Sequence, residues 1–312
     1  VFPVSDKSSD VIHALTVALR ELGVEVELHE EVSEVLAEDG HVSGVRLKRG
    51  QKVVPADAVI VTTGGLSYPS TGSTGDGYRF AKELGHSITE LSPALVPFEA
   101  KEAVCKDLQG LSLRNVGVKL LGEKGKVLYQ DFGELLFTHF GVSGPTVLSA
   151  SCHLKGDDCR LVLDLKPALD EGKLDSRILR DLEMYQNRSM ENALTDLLPR
   201  SMIPVVLRRA EIEPQLQANS LTRQKRRALV ELLKAFPIAI SGKRPVSEAI
   251  ITSGGVKVSE VNPKTMGSKL IPGLFFAGEI LDCDAYTGGF NLQIAWATAY
   301  TSGIYAANGG IL

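Results

Sequence analysis

The densest set of residues able to do chemistry is Gly273-Leu-Phe-Phe-Ala-Gly-Glu-Ile-Leu-Asp282, followed after a short gap by Tyr286-Thr-Gly-Gly-Phe-Asn-Leu-Gln293. Glu279 closes an apolar run, Leu274 to Ala277, that reads as a buried strand. At that carboxyl end its carboxylate is placed to accept hydrogen bonds from sugar-like hydroxyls. Gly288 and Gly289 let the backbone come close to a ligand. A helix starting there offers unpaired N–H groups and a partial positive charge to an electron-rich acceptor. Asn291 and Gln293 lie in its first turn. The plainer alternative is a core strand, a loop and a core helix in which the glycines are punctuation.

The run Tyr68-Pro-Ser-Thr-Gly-Ser-Thr-Gly-Asp-Gly-Tyr78 could also approach a ligand, a plain helix-cap loop being the alternative, and Thr62-Thr-Gly-Gly65 and Thr252-Ser-Gly-Gly255 are further glycine-rich turns. Two side chains are candidate proton donors. His139, within Phe137-Thr-His-Phe-Gly-Val-Ser-Gly-Pro145, sits between hydroxyls and glycines, surroundings that equally suit a histidine bonded only to a turn. Tyr286 is the second candidate.

The elements that must position these residues read in order. A helix begins near Ser8 or Asp10, carries Val11, Ile12, Leu15, Ala18, Leu19 and Leu22 at helical spacing, and stops at Gly23. A strand over 24–28 follows. A β-hairpin spans Val32–Leu36 and Val42–Leu47, turning at Glu38-Asp-Gly40. The unbroken run Ala58–Val61 suits a parallel strand covered on both faces. Asp76 is set to cap a helix over 78–84. Residues 91–168 read as a β-rich insertion, 169–234 as a helical one whose Met and Leu stripes are core, and 235–250 as the return to the β-rich part. Residues 1–90 and 251–312 flank them as two parts of one α/β unit. Such a unit, when it binds a dinucleotide, opens with a strand, Gly-x-Gly-x-x-Gly and a helix. That fingerprint is not found, because Gly72-Ser-Thr-Gly-Asp-Gly77 has the wrong spacing. The first βαβ is therefore expected to be missing.

Composition narrows the function. The 312 residues are 44% hydrophobic with a net charge of -4, so globular cores are expected and no overall basic bias points to nucleic acid or an anionic membrane. The densest basic run, Arg223-Gln-Lys-Arg-Arg227, reads as a solvated helix face. Cys105, Cys152, Cys159 and Cys283 show neither Cys-x-x-Cys spacing nor zinc-type pairing with histidine, so no metal site is expected. The scattered cysteines, with no membrane-length apolar run and no signal segment, imply a cytoplasmic protein.

Taken in order, the Thr62–Gly65, Ser73–Gly77, Phe137–Pro145, Ala249–Gly255, Asn262-Pro263 and Gly273–Asn291 motifs resemble a bacterial family of FAD-dependent oxidoreductases. This family includes aminoacetone oxidase and the BaiN-type bile-acid reductases. More distantly, the Thr-Gly-Asp-Gly and Ala-Gly-Glu pieces are similar to fumarate-reductase-like flavoproteins. The resemblance covers nearly the whole chain. It implies an α/β, Rossmann-like FAD-binding domain, N-terminally incomplete, interrupted by a β-barrel-like domain and a small helical domain. It also implies that Val32 lies beside the adenine and that Thr63, Gly64 and Gly65 form a loop near the dinucleotide. Gly278 and Glu279 would meet the ribityl and phosphate region, and Gly289, Phe290, Asn291 and Leu292 the pyrimidine edge of the flavin. The expected activity is hydride transfer to or from a small organic or steroid-like substrate, with NAD(P)H a candidate electron donor. Two alternatives stand beside it: a non-catalytic binding module that keeps the fold, and a flavin-dependent RNA-modifying enzyme.

Overall fold

The computed structural model describes residues 3–154 and 159–309. Helix α1 (Ser8–Glu21) is followed by an antiparallel meander of β1 (Val32–Glu38), β2 (His41–Leu47) and β3 (Val53–Pro55). Asp39 and Gly40 take positive φ of 51° and 78° at the β1–β2 turn, the geometry that a tight hairpin with right-handed strand twist requires. Strand β4 (Val59–Val61) and helix α2 (Asp76–Glu83) come next, then β5 (Ser92–Ala94), β6 (Phe98–Ala100) and the single turn α3 (Val104–Asp107). The long antiparallel pair β7 (Ser112–Leu121) and β8 (Val127–Phe137) leads to β9 (Gly141–Ser143), α4 (Pro145–Ser151) and β10 (Cys159–Asp164). A helical layer follows: α5 (Glu171–Met184), α6 (Met190–Ala193), α7 (Ile203–Arg209) and α8 (Arg223–Lys234). The chain returns through β11 (Phe236–Lys243), β12 (Ile251–Ser253), β13 (Leu274–Phe276) and α9 (Phe290–Ala307).

Strands β6 to β11 close a barrel in the order β10-β11-β6-β9-β8-β7. Closure removes exposed strand edges and points alternate side chains inward. Phe98, Val118, Leu120, Phe137, Leu161, Phe236 and Ile238 fill it, and the same core continues into the helical layer through Leu174, Ile178, Met190, Met202, Leu229 and Leu233. Asp170 caps α5 by accepting from the Lys173 N–H at 2.8 Å, and Thr222 caps α8 through the Lys225 N–H at 3.3 Å. A second, smaller core joins the parallel pair β4/β13 to α2 and the meander, with Val61, Tyr78, Phe80, Leu274 and Phe276 buried in it.

Two local expectations need correcting. Residues 24–28 form no strand: Val24, Val26 and Leu28 are exposed and enter no ladder. Their β-favouring alternation has no neighbour among the described residues to bond with, and a strand exists only against a partner. Asp76 does not cap α2. It is the first helical residue, Gly75 holds the cap position at φ 86°, and the Asp76 carboxylate accepts from Thr74 Oγ1 at 2.8 Å. The basic run lies at the start of α8 and three of its residues are paired. Arg226 forks onto Asp175 at 2.7 and 3.3 Å, Arg227 pairs with Glu231 at 3.0 Å, and Lys225 Nζ donates to the Glu211 carbonyl. No helix among the described residues is long and apolar enough to cross a membrane. No disulfide and no metal-sized group of His, Cys, Asp and Glu occurs among them.

Candidate cofactor site

Three glycine-rich turns meet at one hydroxyl. Thr252, buried on β12, accepts from the Leu66 N–H at 2.7 Å and the Ser67 N–H at 3.1 Å, while its own N–H donates to Glu279 Oε1 at 2.8 Å. The loop after β4, the turn after β12 and the Gly-Glu turn after β13 are thereby fastened together. Gly65 stands at the junction, where an added Cβ would lie 2.4 Å from Thr252 Oγ1 and 2.7 Å from Glu279 Oε1. No larger residue fits without displacing one of them. Burial pushes the Glu279 carboxyl above the usual carboxylate range, and hydrogen bonds from Thr252 and Ser67 act the other way.

On the far side of Glu279, the Gly278 N–H donates to Thr298 Oγ1 at 2.9 Å, and that hydroxyl donates back to the Ile294 carbonyl of α9 at 2.7 Å. Helix α9 is thus registered against the turn. Its start is prepared by Gly288 at φ 115° and Gly289 at φ 87°. Asn291 folds the preceding loop onto the helix: Oδ1 accepts from the Ala285 N–H at 2.9 Å and Nδ2 donates to the Ala285 carbonyl at 2.7 Å. The N–H groups of Phe290, Asn291 and Leu292 come before the first N–H bonded within the helix, that of Gln293 to the Gly289 carbonyl at 3.0 Å, and there is no side-chain cap at Gly289.

These elements enclose a cavity of about 410 Å³, within the range of small-molecule and cofactor sites. Its apolar wall is Leu95, Ile250, Ile251, Leu292 and Ile294, and its polar wall includes Glu279, Asp284, Tyr286 and the backbone of Thr287 to Gly289. A second cavity of about 430 Å³ lies across the 284–286 loop, lined by Cys152, His153, Ser253 and Phe290 with Asp284 to Tyr286.

Of the residues singled out from sequence, Glu279, Tyr286, Gly289, Asn291 and Leu292 share the first cavity, with Gly278 and Gly65 directly behind Glu279. Phe290 lines the second cavity. Gly64, at φ 71°, and Thr63 line neither cavity, and Thr63 Oγ1 is buried with no hydrogen-bond partner. Val32 begins β1, opposite Leu47 in the meander. His139 is outside both cavities. It is exposed between β8 and β9, its ring edge-on to Phe140 at 5.0 Å. The Asn291 side chain faces its own loop rather than the cavity's centre. Thr252 and His153 were not singled out. Thr252 opens a glycine-rich turn, and that was its one local signal; nothing local marks His153.

An α/β unit built around a parallel strand pair, interrupted by a barrel, with glycine turns and a helix N-terminus at one cavity, has the layout of a dinucleotide-cofactor protein. Residues 1–305 match the family described as HI0933-like protein Rossmann domain, and the chain belongs to that family, one of flavoprotein oxidoreductases. Over 98% of its length it is 30% identical to the 3-dehydro-bile acid delta(4,6)-reductase of Clostridium scindens, matching 75% of that protein. It is also 30% identical over 86% of its length to the ribosomal RNA dihydrouridine synthase of Escherichia coli, matching 65% of that protein. Among solved structures, Aquifex aeolicus GidA aligns with 90% of the chain and 44% of its own, at 15% identity and a TM-score of 0.32.

Proposed function

We propose that the chain forms part of an FAD-dependent reductase that adds a hydride to a carbon–carbon double bond conjugated with a carbonyl group. The observation carrying this reading is the junction of three glycine-rich turns at Thr252 and Glu279 beside a cavity that ends on the open N–H groups of α9. The residues fit a flavin dinucleotide. Glu279 would accept from ribityl hydroxyls, the Phe290 to Leu292 N–H groups would face the electron-rich pyrimidine edge, and the unpartnered Thr63 Oγ1 would lie towards the dinucleotide side. Bound there, FAD would supply two-electron hydride chemistry, with NAD(P)H as its electron donor. The protein's part is to orient the ring, exclude water with the Leu95, Ile250 and Ile251 wall, and hold a proton donor.

The substrate class rests on what the relatives' names have in common. A delta(4,6)-reductase of a 3-dehydro-bile acid and a dihydrouridine synthase both saturate a double bond conjugated with a carbonyl. We favour a small or steroid-like ketone, because the second cavity is partly aromatic, with His153, Tyr286 and Phe290 in its lining. Uridine in RNA is the second reading, supported by equal identity to the Escherichia coli enzyme. A cytoplasmic location with neither membrane nor nucleic-acid partner belongs to the first reading.

The exposed apolar faces of α1 and α9 fit coverage by a further βαβ unit carrying the pyrophosphate loop, so the boundaries 1–90 and 251–312 would delimit two parts of one FAD domain. The test is anaerobic. Protein extended by such a unit, loaded with FAD and reduced, is mixed in turn with androst-4-en-3-one and with a uridine-containing RNA fragment, and flavin absorbance is followed. Reoxidation by the ketone supports the first reading, and reoxidation by RNA alone the second. A protein that retains no flavin is a binding module and overturns both.

A further inference from the structure

Tyr286 has a partner from the other half of the molecule. His153, just beyond α4, hydrogen-bonds through Nε2 to the Tyr286 hydroxyl across 133 residues of sequence. Tyr129, from barrel strand β8, stacks on the imidazole with centroids 5.1 Å apart and planes 22° from parallel, and meets the Tyr286 ring edge-on at 6.1 Å. The Tyr129 hydroxyl is committed elsewhere, donating to Asp131 Oδ2 at 2.7 Å, so its ring serves to hold the imidazole in place. Tyr286 lines both cavities, and His153 lines the second. The phenol therefore stands in the wall between the proposed flavin side and the 430 Å³ space, with a second titratable group behind it.

We propose that this second cavity receives the conjugated carbonyl substrate and that Tyr286, positioned by His153, is the acid that protonates it. The inference rests on the reductase reading above. Reduced FAD held in the first cavity would supply the hydride for the β-carbon; as that C–H bond formed, the displaced π pair would move onto the carbonyl oxygen as an enolate. The enolate then takes the Tyr286 proton at its α-carbon: that C–H bond forms, the phenol O–H bond breaks, and the electron pair stays on the phenolate. His153 takes a proton from solvent on Nδ1 as its Nε2–H bond breaks and the Nε2 proton passes to the Tyr286 phenolate, so the imidazole ends neutral with its proton on Nδ1. Tyr286 is the catalytic residue, and His153 and Tyr129 are positioning residues. Burial, together with Cys152, Asp131 and Asp284, pushes the phenol above its ordinary range, which keeps the donor protonated between turnovers. Tyr129 and His153 are the ionisable groups in direct contact with it, and Lys243 stands near Cys152 and Asp284, its ammonium lowered by burial while those two groups act the other way.

Two measurements separate this inference from the reading beneath it. In the first, reduced holoenzyme is mixed with cyclohex-2-enone and with androst-4-en-3-one in ordinary and heavy water. Tyr286→Phe should slow flavin reoxidation by about 100-fold or more and abolish the solvent isotope effect, while reduction of the flavin keeps its rate. His153→Phe should slow it less, and His153→Gln, whose amide N–H can still donate to the phenol, should recover part of the loss. A Tyr286→Phe protein reoxidised at the wild-type rate with its isotope effect intact overturns the inference and leaves the reductase reading standing. A wild-type protein reoxidised by neither ketone overturns the ketone-reductase reading and the inference together. The second measurement needs no turnover: phenol ionisation is followed by ultraviolet difference absorbance, with Tyr286→Phe identifying the Tyr286 component. His153→Phe should move that component to higher pH, because a donor to the phenolate is lost. An unmoved component overturns the pairing.

Discussion

The barrel with its helical layer and the dinucleotide-type half bury their apolar residues to different degrees. From Phe98 to Ile240 one continuous core runs through barrel and helices, with ring after ring fully covered. In the other half α1 buries no residue: Val11, Ile12, Leu15 and Leu19 all face solvent. Helix α9 buries only Ser302, and Trp296, Tyr300 and Ile304 are exposed. A 14-residue amphipathic helix gains most of its stability from what covers its apolar face, so α1 is the weaker element by construction. The junction of the three glycine-rich turns lies at the border between the halves. Thr252 pairs through β12 with β5, which leads directly into barrel strand β6, whereas Gly65 and Glu279 belong to the lightly packed half. A site at such a border can be held accurately from one side and completed from the other.

If the comparison is right, the largest loss comes from the barrel. Phe236 is fully buried with the Arg209 guanidinium 4.3 Å from its ring centroid, and Phe236→Ala should cost about 3–5 kcal/mol in chemical denaturation. At the junction, Gly65→Val should cost less stability yet abolish flavin retention, since its side chain must displace Thr252 or Glu279. Spectra of the folded variant after FAD addition check this, and a normal flavin band would show that the junction does not touch the cofactor. Asn291→Ala removes both bonds that fold the Ala285 backbone onto α9 and should cost about 1 kcal/mol. Loosening of the 284–289 loop should appear as faster amide exchange there and not in the barrel.

What was readable in the sequence follows from the range of each interaction. The Gly278, Glu279 and Gly289 positions were legible because a strand end, a turn and a helix start lie within about four turns of chain and announce themselves by residue type. The barrel was legible as short alternating strands, and the return of 235–250 to it after the helical layer was legible as one more apolar strand, β11, which pairs with β10 and β6. Thr252 binds loop residues 186 and 185 positions away, and His153 reaches Tyr286 across 133. No local pattern encodes such pairs. Asn291 lines the first cavity, as its place in the first turn of α9 suggested, but its amide also bonds the Ala285 backbone, a local pairing that the sequence reading did not include.

His86 supplies a pH-dependent test within the lightly packed half. It is buried against Phe276, bonded through Nε2 to Ser268 Oγ at 2.8 Å and 3.3 Å from Glu260 at Nδ1, and burial lowers its pKa despite that carboxylate. A base whose pKa is lower in the folded state adds stability above its unfolded pKa and loses it as pH falls through the folded one. The denaturation midpoint should therefore drop on going from about pH 7 to about pH 5, and drop less in His86→Gln. Equal pH dependence in both proteins would assign the effect to other groups.

The smallest expected effect bears most directly on the comparison. Trp296 is 46% exposed near the middle of α9, on a helix that is apolar on all sides. If nothing further covers it in the isolated chain, Trp296→Gln costs no more than about 1 kcal/mol, because about half of the indole stays in water and the glutamine stem keeps part of the contacts of the rest. The same substitution should reduce self-association, measured by sedimentation, since exposed apolar patches are what bring copies together. In a protein extended by the proposed βαβ unit, the identical change should cost about 2–4 kcal/mol as the indole becomes core. The cost of one side chain in two settings thus reports whether α9 is a finished surface or half of an interface. A loss above about 2 kcal/mol in the chain as it stands would mean that α9 is already covered, and the contrast between the halves would fail.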